Sequence, residues 1–167
     1  MNKRKLIILT GYARAGKTTI VNFLVNQYGY FNASTSHVLG KFTEAITKSL
    51  TGDVIDTENK RASLTINGQD FSMRELKIKI AEEAIAPVLS RSALITGLAY
   101  AINNNSHNVV YEAFNKAECA IFLQMFEDKF DEIDILHITS PHQLPDVDSR
   151  EIVNNYPQYR FTRIKND

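Results

Sequence analysis

Of the 167 residues only one, Cys119, is a cysteine, so an internal disulfide is excluded, and a reducing cytoplasm is the compartment that fits. An excess of charge of either sign is missing too. Nineteen lysines and arginines balance nineteen aspartates and glutamates, so no net positive field draws the chain to nucleic acid or to a membrane surface. Long apolar runs are lacking as well: after the basic start Met1 to Arg4, the run Leu6 to Leu9 stops at Thr10-Gly11. That is too short for the core of a signal peptide or for a membrane span, and neither is expected. With 44% apolar and 23% charged residues, the chain carries the core material of one domain, not the composition of a disordered segment.

What is present is concentrated in Lys5 to Val21. The apolar run leads into Gly11-Tyr12-Ala13-Arg14-Ala15-Gly16-Lys17-Thr18-Thr19, and Ile20, Phe23, Leu24 and Tyr28 follow at helical spacing, giving strand, glycine loop and helix in that order. Gly-x-x-x-x-Gly-Lys-Thr in this setting is a phosphate-binding loop. Gly11 and Gly16 reach backbone angles closed to other residues, so successive N–H groups can face one concavity, to which the helix adds its positive end. Lys17 supplies a mobile charge for the terminal phosphates and Thr18 a hydroxyl for Mg²⁺. Arg14 either contacts phosphate or points to solvent, since positions between the glycines tolerate many residues. A glycine turn that matches by accident and a loop that binds nucleotide without catalysis are the bland alternatives.

Further along, Tyr30 to Ala33 reads as a second strand. Ser34, Thr35 or Ser36 then caps a helix whose apolar face is Val38, Leu39, Phe42, Ile46 and Leu50, ended by Gly52. Residues 51–70 are polar and read as a small insertion, with a hairpin turn at Asn67-Gly68. Ser72 and Glu75 have capping-box spacing, and Phe71 and Leu76 that of a hydrophobic staple, so a helix starts here. It continues through Ile80 to Ile85, Pro87 interrupts it or begins another, and Val88 to Ile102 forms a second apolar helix. His107 to Tyr111 is a buried strand ending at Glu112. Asn115 and Glu118 form another capping box before the helix of Ala120 to Phe126. Ile133 to Ile138 and Tyr159 to Ile164 complete the strands. Strands alternating with helices imply an α/β fold of the P-loop NTPase type, three layers with a mostly parallel five-stranded sheet, in one domain spanning 1–167.

The loop and the element order together resemble the P-loop nucleoside and nucleotide kinases, and most of all the deoxynucleoside monophosphate kinases of bacteriophages. The second-strand exit Phe31 to Lys41 is similar to that family's approach to its acceptor-binding helix. Arg74-Glu75-Leu76 through Glu82-Glu83 is similar to its Arg-x-Leu helix, and Tyr159 to Asp167 to its last strand. The resemblance implies transfer of the terminal phosphoryl group of ATP, with Mg²⁺, to a deoxynucleoside monophosphate. Ser36, His37, Lys41, Arg74 and Arg150 would then face the acceptor, and the protein would work in the cytoplasm, of a host cell if phage-encoded. Where the family has an aspartate and, two residues on, an arginine, this chain has Glu112-Ala113-Phe114. The segment from Thr139 to Glu151, from which a lid would come, holds only Arg150.

The individual residues leave choices open. His37 and Lys41 also fit ordinary solvated helix positions, and Arg150, between Asp148 and Glu151, fits a local ion pair. Arg74 in a first helical turn gains nothing from the helix dipole, so an anionic partner explains it better. Glu112 can serve Mg²⁺, or it can take the proton of a hydroxyl acceptor. The absence of a carboxylate in Asn32 to Ser36 favours a phosphate acceptor. Lys17, Arg14 and Glu112 are therefore the catalytic candidates, and Thr18 and Glu112 the metal candidates. The expected partners are a nucleoside triphosphate and a small nucleotide. A kinase directed at a hydroxyl, on a nucleoside or on hydroxymethylated DNA, is the alternative, the only reading in which DNA takes part. A homodimer is left open.

Overall fold

A computed structural model describes residues 3–12, 14–59, 62–90, 92–113, 116–141 and 156–166. They fall into two compact units, Met1–Ala33 with Ala99–Asp167, and Ser34–Leu98.

The first unit is built on strands β1 Lys5–Gly11, β2 Phe31–Ala33, β5 Val109–Glu112, β6 Glu132–Thr139 and β7 Arg160–Lys165. All the pairings are parallel and the order across the sheet is β2-β5-β1-β6-β7. Counted by themselves these strands run second, third, first, fourth, fifth, so the order of strand addition reverses beside β1, and its C-terminal end opens at the switch point where such sheets bind ligands. Alternation along β1 separates two faces. Ile7 and Leu9 pack with Val110, Ile138 and the inner side of α1 Lys17–Tyr28, through Ile20, Val21, Leu24 and Val25. Tyr111 lies on the other face, stacked on Phe122 of α6 Lys116–Phe126 with ring centroids 3.8 Å apart. Helices therefore cover both faces, giving the P-loop NTPase-type three-layer α/β fold. At the N-terminal ends of the strands the buried Asp134 accepts from Lys5 and Arg160, each at 2.6 Å, and ties three strands in register. Burial opposes ionisation of Asp134, but hydrogen bonds and charge from Lys5 and Arg160 prevail and lower its pKa. Cys119 is buried and its thiol is pushed up to about 12, by burial first and the Glu118 charge second, so it is an inert core residue.

The second unit holds α2 Thr35–Thr51, a hairpin of β3 Ser63–Ile66 and β4 Gln69–Ser72, α3 Met73–Lys79, a π-helical turn Ile80–Ile85 and α4 Ala86–Leu89, and its boundary falls inside α5 Ser92–Asn103. The caps match their residues. Ser34 accepts from His37 N–H at 3.2 Å, Gly52 ends α2 at φ 80°, and Ser72 with Glu75 forms the reciprocal capping box. Asn67 and Gly68, at φ 51° and 77°, make the hairpin turn.

Two expectations are corrected. Val38, Leu39 and Ile46 of α2 pack on the core as expected, but the fully buried positions of the helix are Gly40, Thr43 and Thr47, and Phe42 and Leu50 are exposed. The threonines can be buried because each hydroxyl donates to the carbonyl four residues back, Thr43 to Leu39 and Thr47 to Thr43, both at 2.9 Å. Pro87 begins another helix, one of the two outcomes expected of it, and stands in the first turn of α4 Ala86–Leu89. Its missing N–H and its ring disturb the preceding turn, which widens to π geometry over Ile80–Ile85. The next helix begins at Ser92, not Val88, because Ser90 takes φ 69° and breaks the chain there. No single helix among the described residues is long and apolar enough to cross a membrane.

Candidate functional site

The glycine loop leaves the end of the central strand. Gly11 has φ 133°, and a Cβ there would overlap the carbonyl oxygen of Ile138 on β6. Only glycine fits. Arg14 at φ 65° and Gly16 at φ 96° are also left-handed, and the Ala15 N–H closes back on the Tyr12 carbonyl at 3.2 Å. Gly16 is the N-cap of α1, has no side chain to cap with, and no acidic residue stands in the first turn. The N–H groups of Lys17 and Thr18 thus have no intrahelical acceptor, and the positive end of the helix is not neutralised locally. Such an N-terminus binds anions.

Lys17 folds over this loop. Its Nζ donates to the carbonyls of Gly11 at 2.9 Å and Tyr12 at 3.0 Å, and it lies 3.8 Å from Glu112 Oε1. Glu112 is there because β5 runs beside β1 in a register that pairs Leu9 with Glu112, and Ala113 N–H still bonds the Leu9 carbonyl at 3.0 Å. Thr18 and Thr19 in the first turn are exposed, as is Arg14. No group of three histidines, cysteines or carboxylates able to hold a metal occurs among the described residues. The donors beside the loop, the Thr18 hydroxyl and the Glu112 carboxylate, are hard oxygens. They suit Mg²⁺, which keeps several waters and takes most of its remaining ligands from phosphates.

Two residues that the sequence reading missed support this loop. Asn166, directly after β7, donates from Nδ2 to the Ala15 carbonyl at 3.1 Å, and its N–H bonds the Thr139 carbonyl at 2.8 Å. A Cβ on Gly16 would overlap that amide. His137 on β6 is buried, with Nδ1 2.9 Å from the buried Thr10 hydroxyl and the Tyr12 ring edge-on to it. Burial lowers its pKa, and the charges of Arg163 and Lys17 lower it further, so a neutral ring is favoured beneath the loop. The one signal for His137 was a polar residue within an apolar strand. Nothing local marked Asn166, which meets the loop across 151 residues of chain.

Of the acceptor candidates, Ser36, His37, Lys41 and Arg74 belong to the second unit. His37 and Lys41 line one cavity of about 400 Å³ together with Glu44 and residues 54–58. Ser36 and Arg74 are exposed and are not among its described walls. Arg74 is the second residue of α3, with no charged partner among the described residues. Arg150, Ala13 and the Asn115 cap lie outside the described residues.

No family model matches the chain, and no curated protein does. Similar solved structures include an unliganded sugar kinase from Janibacter sp. HTCC2649, 13% identical with a TM-score of 0.39, the match covering 98% of this chain and 85% of that one. Another is TT1252 from Thermus thermophilus, 14% identical with a TM-score of 0.48, covering 99% and 90%. Likeness at this level carries no argument about function, and the fold rests on the strand order and register of the chain itself.

Proposed function

We propose that the chain is a P-loop phosphotransferase that moves the terminal phosphoryl group of ATP to a deoxynucleoside monophosphate, one kinase domain with a small insertion around residues 51–70. The observation that carries this reading is Lys17, its ammonium held over the loop carbonyls at 2.9 and 3.0 Å and 3.8 Å from Glu112, at an anion-binding helix end. Backbone N–H groups of the loop, with those of Lys17 and Thr18 at the start of α1, would cradle the phosphates of the nucleotide. Lys17 would leave its two carbonyls for the terminal phosphates, where charge is spread over the transferring group in the transition state. Thr18 and Glu112 would hold Mg²⁺, which when bound neutralises phosphate charge. Arg14 adds a cation at the loop rim. In the transfer, the bond from the terminal phosphorus to the bridging oxygen breaks, leaving ADP, and one forms to an oxygen of the acceptor phosphate. That oxygen carries no proton to be removed at neutral pH.

A second reading, transfer to a hydroxyl on a nucleoside or on hydroxymethylated DNA, draws on one observation. The Glu112 side chain is 36% exposed at the strand end beside Lys17, which leaves a carboxylate able to accept a hydroxyl proton. Labelled ATP incubated with a panel of monophosphates, nucleosides and hydroxymethylated DNA tests both. Label on a monophosphate supports the first reading and label on a hydroxyl the second. ATP binding with no transfer to any acceptor makes the chain a binding module.

A further inference from the structure

The peptide between Ala15 and Gly16 is the last one in the loop before the hydrogen-bond ladder of α1. Its carbonyl is not taken up by the helix, because the Thr19 N–H bonds the Gly16 carbonyl at 3.1 Å, one residue further on. Ala15 is wholly buried, and a buried carbonyl needs a donor. The donor it has among the described residues is the side-chain amide of Asn166, at 3.1 Å. That amide is mounted on the sheet. β7 pairs with β6 as far as Lys165 beside Thr139, and the Asn166 N–H carries the pairing one step on, to the Thr139 carbonyl at 2.8 Å.

A trans peptide is planar, so its C=O and its N–H point in opposite directions. With the Ala15 carbonyl turned to Asn166, the Gly16 N–H is turned away from Asn166. It has no acceptor among the described residues, and neither have the N–H groups of Lys17 and Thr18 that follow it. Gly16 is left-handed, at φ 96° and ψ 13°, and Lys17 begins the helix. A left-handed residue followed by a helical one draws successive N–H groups into a single anion-binding concavity. The bare Cα of Gly16 also makes room for the amide, which a Cβ would overlap.

We infer that Asn166 is a positioning residue of the loop, which fixes the Ala15–Gly16 peptide so that the Gly16 N–H joins those of Lys17 and Thr18 on the phosphates of the nucleotide. It touches no reacting atom. Without the amide, the peptide is free to turn its carbonyl toward the phosphates, oxygen against oxygen. The inference rests on the phosphate-binding reading of the loop and is indifferent to the acceptor.

The test is calorimetric titration of the full chain with ATP and with inorganic tripolyphosphate, both with Mg²⁺, beside urea unfolding and the transfer assay. Asn166→Ala should weaken both ligands by the same factor, about three- to tenfold, the net size of one hydrogen bond. Asn166→Asp keeps the shape of the side chain and the backbone bond to Thr139 but cannot donate, and it should weaken both ligands at least as much. A loss confined to ATP would mean that Asn166 meets the nucleoside directly, and overturns the inference. Unchanged affinities beside a lowered stability would make Asn166 a merely structural residue and overturn it as well, as would wild-type affinity in Asn166→Asp. If the wild type binds neither ligand, the loop reading falls and this inference with it. Equal weakening of both ligands in a chain that transfers to no acceptor removes the kinase reading and leaves the role of Asn166 standing.

Discussion

In the first unit the contacts that shape the site join residues distant in sequence: Asn166 to Ala15 across 151 positions, and His137 to Thr10 across 127. In the second unit the side-chain bonds that define the elements are short-range, Ser34 to His37 and Ser72 to Glu75 across three positions, and Thr65 to Asp70 across five. The two kinds of contact do different things. Short-range bonds decide which elements form, whereas long-range ones decide where a loop sits relative to its neighbours. A loop that must present phosphate donors in fixed directions needs the second kind, because preorganised groups stabilise a transition state without reorganising as it forms. Lys41 and Glu44 of the second unit make no such long-range bond among the described residues.

The sharpest test of that contrast is Lys17→Ala. Phosphoryl transfer should fall by about a hundredfold or more while circular dichroism stays that of the native chain, because the side chain acts on developing charge and not on packing. An unchanged rate would remove the kinase reading. Gly11→Ala comes next. Its Cβ would run into main-chain atoms of Ile138, which cannot swing aside as a flexible side chain does, so a loss of about 3 kcal/mol or more is expected in urea unfolding. Gly52→Ala in the second unit is the control. Its φ is 80° but nothing lies within 4 Å of the added atom, and the cost should be about 1 kcal/mol, the left-handed conformation alone. Equal losses at the two glycines would mean that long-range closure around the loop contributes little.

Arg74 and Glu112 separate the units by chemistry. With a monophosphate acceptor, Arg74→Ala should weaken acceptor binding by about 1.5 to 3 kcal/mol with little change for ATP, and Glu112→Gln should be the milder change. With a hydroxyl acceptor the order reverses. Glu112→Gln should then lower turnover by about a hundredfold and remove the acidic limb of the pH–rate profile. Acceptor KM and turnover measured for both variants decide between them, and a severe Glu112 defect beside a silent Arg74 would sink the monophosphate reading.

The same division explains what was legible in the sequence. Lys5 to Tyr28 was readable because each signal there is local: apolar run, glycines, Lys-Thr, helical spacing. Caps at Ser34 and Ser72, the Asn67-Gly68 turn and the strand ending at Glu112 were readable for the same reason. The buried face of α2 was readable only in part: Val38, Leu39 and Ile46 pack inward, but hydrophobic spacing also pointed to Phe42 and Leu50, whereas Thr43 and Thr47 satisfy their hydroxyls inside the helix and can be buried. Asn166 and His137 were missed because their partners come from the other end of the chain. The left-handed Ser90 left no trace in composition, so the start of α5 was misplaced.

His137 gives the smallest expected effect. Its pKa is lowered in the fold, by burial and then by the charges of Arg163 and Lys17, so the unfolded chain binds this proton more readily than the folded one. Above about pH 6.5, the ordinary histidine value, the ring is neutral in both states and its contribution is complete. As pH falls below that value the unfolded state takes up the proton first, and stability declines until the folded pKa is reached. Glutamine at this position can still meet the Thr10 hydroxyl and does not titrate. The difference between wild-type and His137→Gln unfolding free energies, measured from pH 7.5 down to 5, should therefore shift against the wild type only on the acid side. The other three histidines are common to both proteins and cancel in the difference. Parallel curves over the whole range would show that the ring beneath the loop takes up its proton as freely folded as unfolded, and that burial at this point of the first unit leaves the loop indifferent to acid.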